Sequence, residues 1–188
     1  ESTDVFDLLD TAESKLYEIT QGNIKKSTIS AQDLVIQAKK KIEEIANKEG
    51  LSGIPSGFVK VDKLTSGWQP SDLIIIAARP GMGKTAFSLS MARNISVLHN
   101  IPVAFFSLEM SSEQLARRIL SEQARISSND MRKGDLSEND LDNLVSVSKK
   151  ILEIPLFIDD TPAINIGTLA SRARRLKRKH GLGVIIVD

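Results

Sequence analysis

Apolar residues recur along this chain in two rhythms, and the change between them divides it. In the first fifty residues the spacing is helical. Val5, Leu8, Leu9, Ala12, Leu16 and Ile19 predict a helix over 5–20 that stops at Gly22. After a polar stretch, Ser30 precedes Ala31, Leu34, Val35, Ala38, Ile42 and Ile45, an i, i+3, i+4, i+7 stripe over 31–46, with Asp33 completing a Ser-x-x-Asp capping box and Gly50 ending the helix. The opposite face carries Lys39, Lys40, Glu43, Glu44 and Lys48. Such a helix must bury its stripe, either on its own domain or on another subunit, and the pattern leaves both open. Residues 51–72, rich in Gly, Ser and Pro, read as irregular structure. From there short apolar runs alternate with helical stretches: strand 73–78, helix 84–98, strand 102–108, helix 112–126, a short helical piece near 129–133, helix 137–152, strand 155–159, helix 165–180 and strand 183–188. That alternation predicts an α/β fold, a parallel sheet flanked by helices on both faces, with ligands at the carboxyl ends of the strands.

The join between strand 73–78 and the helix after it carries the strongest chemical signal. Residues 79–86 read Arg79, Pro80, Gly81, Met82, Gly83, Lys84, Thr85, Ala86, and these are the expected nucleotide contacts. Two glycines let the backbone curl around a polyphosphate, and the following helix N-terminus adds a favourable dipole field. Lys84 would reach the β- and γ-phosphates of ATP, and the Thr85 hydroxyl would hold Mg²⁺. The motif G-x-x-x-x-G-K-S/T has Ala78 at its first position, where a small residue still permits the turn.

Nucleotide hydrolysis also needs a metal-holding carboxylate and a group that orients or deprotonates water. Glu109 follows the 102–108 run and emerges at the carboxyl rim, the right place for a general base, although the same pattern fits a surface glutamate at the strand–helix junction near Ser111 and Ser112. Asp188 ends a Val-Ile-Ile-Val run in the Walker-B manner, and Asp159 imitates it after Leu156, Phe157 and Ile158. Spacing does not rank the two, although the Asp160-Thr161-Pro162 sequence favours a capping role for Asp159 or Asp160. The basic run 172–179 could touch nucleic-acid phosphates but reads first as a solvated helix face or a subunit contact, where cations complement the helix dipole, and His99 and His180 read as structural.

Composition narrows the remaining classes. The 188 residues are 41 % hydrophobic and 26 % charged with net charge +1, so no global basic field marks a nucleic-acid binder. With no cysteine there is no disulfide framework or thiolate metal site. No apolar signal segment or membrane-crossing run is visible, so a cytosolic address and no membrane partner are expected. The final residues look like a core strand, and the chain is expected to be a fragment.

The strings Gly53-Ile-Pro-Ser-Gly57-Phe58, Asp62-Lys-Leu-Thr-Ser-Gly67 and 69–85, with Phe106-Ser-Leu-Glu-Met110, Ile158-Asp-Asp-Thr-Pro162 and 181–188, closely resemble the motor domain of bacterial DnaB-type replicative helicases. The resemblance implies a RecA-like P-loop NTPase fold, truncated, with 1–29 as the end of an N-terminal region, 30–50 as an α-helical linker and 51–188 as the first half of the ATPase domain. It further implies a homo-hexamer joined through the linker helix, ATP and Mg²⁺ as cofactors, translocation on single-stranded DNA, and a helicase loader and primase as partners. Glu109 becomes the catalytic carboxylate and Asp188 the metal carboxylate, by analogy. DNA-binding loops, phosphate sensor and arginine finger are expected beyond Asp188. Two rival readings are a RecA-like recombination or repair ATPase and a non-catalytic oligomerisation or loader-docking module.

Overall fold

The structure is a computed structural model that describes residues 30–46 and 50–188, together with Ala12 and Lys15. The helix expected over 5–20 otherwise lies outside the described residues, although Ala12 and Lys15 are both helical. The elements are helix α1 (Ala31–Ala46), α2 (Val59–Thr65), α3 (Lys84–His99), strand β1 (Val103–Phe106), α4 (Ser112–Ala124), α5 (Ser128–Lys133), α6 (Glu138–Ile151), β2 (Leu156–Asp159), α7 (Ile166–His180) and β3 (Val184–Val187).

The three strands form a parallel sheet in the order β2-β1-β3. Every side chain of β1 is buried, as expected for a central strand covered on both faces. Because side chains alternate along a strand, its four residues serve two cores. Val103 and Phe105 pack with Leu89, Ile95, Leu115 and Ile119 of α3 and α4, together with Ile186. Ala104 and Phe106 pack with Ala173 of α7 and with Leu182. Helices therefore cover both faces, and the register Leu156↔Val103↔Val184 carries the same two-sidedness into β2 and β3.

The helices start where the chain offers an acceptor. Ser111 and Ser137 each make a reciprocal capping box with Gln114 and Asp140, and Asn165 accepts from Thr168 N–H. Ser30 opens α1, accepting from Asp33 N–H while its hydroxyl donates to the Asp33 carboxylate. Leu34, Val35, Ile36 and Ile42 of α1 are all exposed, so among the described residues this part of its apolar stripe has no cover.

Two expectations need correction. Residues 73–78 do not form a strand. A strand exists only with a partner to complete its ladder, and among the described residues these have none: they lie beside β3 across a cavity of about 560 Å³ lined by Leu73, Ile74, Ile76 and residues 184–188. Leu73 and Ile75 are 87 % and 82 % exposed, while Ile76 packs against the core. The segment 51–72 is also more ordered than expected. It contains α2, whose Asp62 is buried and accepts from both the backbone N–H and the hydroxyl of Ser56, and an antiparallel bridge joins Ile54 to Trp68.

Candidate nucleotide site

The loop between residues 79 and 84 turns sharply into α3. Gly81 and Gly83 have φ of 77° and 87°, a left-handed backbone that strains residues with a β-carbon. A Cβ at either position would meet nothing within 4 Å. The glycines are therefore required by the turn rather than by crowding, and the space above the loop is open. Gly83 is the N-cap of α3, and no side chain caps it. The first N–H groups of α3 are thus free of a capping side chain, and with the helix dipole they favour an anion. Met82 N–H donates to the Arg79 carbonyl, which closes the loop on itself.

Four of the residues singled out in the sequence meet beside this loop. The Thr85 hydroxyl donates to Asp188 Oδ2 at 2.6 Å. Lys84 Nζ lies 3.4 Å from Asp188 Oδ1 and 3.8 Å from Glu109 Oε1. Asp188 is held deeply, its side chain 2 % exposed, whereas that of Glu109 is 68 % exposed. Backbone bonds fix the two carboxylate-bearing segments to each other: Leu108 N–H donates to Asp188 O and Asp188 N–H to Phe106 O. Lys84 thus bridges a fixed carboxylate and a free one.

Sheet parity separates the aspartates that spacing could not rank. Phe106 is in register with Asp159 on one side and with Val187 on the other, so Asp188 lies one residue beyond the position of Asp159. One residue changes the face. Asp159 falls on the α7 side, where Arg172 Nη1 donates to its Oδ2 at 2.7 Å and to Thr161 Oγ1 at 2.6 Å. Asp188 falls on the α3 side, against Thr85. Burial pushes Asp159 upward, but the hydrogen bonds from Arg172 and Thr161 and the guanidinium charge outweigh it and hold the carboxyl below its ordinary value of 3.8. Asp160 instead accepts from Ser112 N–H at 2.6 Å. That bond lowers its pKa too, and its length in sequence, 48 residues, is why no local pattern announces it.

The arrangement fits a nucleoside polyphosphate with a magnesium ion. Mg²⁺ takes oxygen donors, usually one or two carboxylates plus phosphate oxygens and waters, and the Thr85 and Asp188 oxygens sit side by side with Lys84 next to them. Away from this cluster, His180 tilts against Phe157 with ring centroids 4.6 Å apart, and His99 closes the last turn of α3. The basic run is partly internal wiring: Arg172 serves Asp159, and Lys177 Nζ donates to the Leu182 carbonyl.

Residues 53–188 match the DnaB-like helicase C terminal domain. The chain belongs to the DnaB-like helicase family. It is 45 % identical over 183 residues to the replicative DNA helicase DnaB of Nostoc sp., covering 96 % of this chain and 21 % of that protein. To DnaB of Geobacillus stearothermophilus it is 41 % identical over 182 residues, covering 96 % and 40 %. The chain thus spans well under half the length of these curated relatives. Among solved structures it superposes on an ATPase domain with a TM-score of 0.78 at 28 % identity, covering 86 % of this chain and 57 % of that one. A DnaB-like replicative helicase, solved to show its interactions with primase, gives 0.78 at 26 % identity, covering 94 % and 42 %. The fold is that of a DnaB-like ATPase domain, in keeping with the RecA-like expectation. Among the described residues no helix is long and apolar enough to cross a membrane.

Proposed function

We propose that this chain is the linker helix and the first half of the motor domain of a replicative DNA helicase, which couples ATP hydrolysis to movement on single-stranded DNA. The observation that carries this reading is the meeting of Lys84, Thr85, Glu109 and Asp188, from the start of α3 and the carboxyl ends of β1 and β3. Residues 30–50 serve as the linker and 51–188 as the ATPase half-domain.

Each side chain has a distinct task. The N–H groups of Gly81 and of residues 83–86 cradle the phosphates, and Lys84 leaves its two carboxylates to neutralise the β/γ-phosphate oxygens. Thr85 and Asp188 would hold Mg²⁺, which would screen the charge of the phosphates. Departure of Lys84 releases Glu109, already solvent-facing, to orient the attacking water and accept its proton. Arg79, Pro80, Met82 and Ala86 shape the loop around the nucleotide.

The exposed stripe of α1 favours assembly through that helix into a ring, since an isolated amphipathic helix gains little unless a partner covers its apolar side. Membership of the family supports a ring, a loader and primase as partners and a bacterial cytoplasmic setting. The test is phosphate release by the full-length protein that contains this chain, with and without single-stranded DNA. Stimulated turnover supports the helicase reading; nucleotide binding without turnover would instead make it a non-catalytic docking module.

A further inference from the structure

Glu109 is the member of the cluster held least firmly by its own side chain. Its carboxylate is largely exposed and meets Lys84 only at 3.8 Å, so its aim is set by the backbone turn between β1 and α4. On the strand side that turn is well tied. Ser107 N–H donates to the Asp159 carbonyl at 2.8 Å, Leu108 N–H to the Asp188 carbonyl at 2.7 Å, and Met110 N–H to Ser107 Oγ at 3.1 Å.

On the helix side one long-range contact pins it. Asp160 Oδ2 accepts from the N–H of Ser112, the first residue of α4, at 2.6 Å. Asp160 continues β2 by one residue, and by the two-residue period it falls on the same face as Asp188, toward α3 and α4. Its own turn is rigid, because Arg172 of α7 clamps Asp159 and Thr161 on either side of it. A carboxylate at a helix N-terminus also complements the dipole there, so this end of α4 is fixed against the sheet.

We infer that Asp160 is a positioning residue for hydrolysis: by anchoring the first N–H of α4 it fixes the turn that aims Glu109 at the water. This rests on the reading of Glu109 as the water-orienting carboxylate. A displacement of about 1 Å at a reacting group costs up to about a hundredfold in rate, so loss of the anchor should lower kcat while leaving nucleotide affinity in place.

The experiment is a mutant cycle on ATP turnover in the full-length protein with single-stranded DNA. Asp160→Ala should lower kcat by about tenfold or more with ATP affinity and KM unchanged, and Asp160→Asn, which keeps an acceptor oxygen, should recover most of it. Ser112→Pro removes the donor from the other side. Proline suits the first position of a helix, and the preceding Ser111, at φ −69° and ψ 152°, already has the extended backbone that a following proline requires. It should reproduce the Asp160→Ala loss, and the two together should cost no more than either. In a Glu109→Gln background Asp160→Ala should have no further effect. Unchanged kcat in both Asp160→Ala and Ser112→Pro overturns the inference, as does a loss that adds to that of Glu109→Gln. If Glu109→Gln itself turns over normally, the reading of Glu109 fails instead. Should Asp160→Ala not fold, Ser112→Pro and Asp160→Asn decide the matter.

Discussion

Thr85 and Asp188 are 103 residues apart in sequence, yet the threonine hydroxyl donates to the aspartate at 2.6 Å. The contact joins the start of α3 to the end of β3 and creates a paired oxygen site on the α3 face of the sheet. Asp188→Asn keeps the shape but removes the charge that would bind a divalent ion. ATP affinity of Asp188→Asn should become nearly insensitive to Mg²⁺, whereas the unaltered protein should bind more tightly with it. Calorimetry with and without Mg²⁺ checks this, and an undiminished Mg²⁺ response removes Asp188 from the metal site.

Lys84→Ala should weaken ATP binding by roughly tenfold to a hundredfold, because a hydrogen bond to a charged group contributes about 1.5–3 kcal/mol. Wild-type affinity in a fluorescence titration would show that the lysine stays with Asp188 and Glu109 rather than moving to phosphate.

Helix identity was largely legible because caps are local. Ser111, Ser137 and Asn165 stand at the starts of α4, α6 and α7, and each serves its own next turn. The apolar run 73–78 has the composition of a strand without forming one, because composition reports burial preference, whereas a strand also needs a hydrogen-bonding neighbour. Helix α2 carries weak sequence signals, since Val59 and Val61 disfavour helix and Phe58 provides no side-chain cap; the Ser66-Gly67 pair at its end is the stop signal that the sequence does offer. The residues that meet beside the loop, Lys84, Thr85, Glu109 and Asp188, stand out in the loop and strand-end patterns. What local patterns could not supply was the register that sends Asp159 to Arg172 and Asp188 to Thr85.

The Asp159–Arg172 clamp should make stability depend on acid. With its folded-state pKa held below 3.8, Asp159 contributes stability that is present above about 3.8 and is lost as pH falls through the lower folded value. Asp159→Asn should therefore lower Tm at neutral pH, and the gap from the unaltered protein should close as pH drops below that range. Thermal melts from pH 7 to pH 2 would show this; a pH-independent gap would mean the charge plays no part.

For α1, two acidic substitutions on the exposed stripe, Leu34→Asp with Ile42→Asp, should weaken assembly of the full-length protein without altering ATP affinity. Sedimentation velocity reads the effect. An unchanged oligomer would assign the stripe to local packing rather than to a neighbouring subunit.

On the proposed function, Glu109 performs the chemistry which Lys84, Thr85 and Asp188 prepare. Glu109→Gln keeps the size of the side chain and removes its basicity. The most direct measurement is ATP turnover of full-length Glu109→Gln with saturating Mg²⁺ and single-stranded DNA, alongside its ATP affinity. Glu109→Gln should lower kcat by about a hundredfold or more with binding preserved; turnover at the unaltered rate would remove Glu109 from the chemistry.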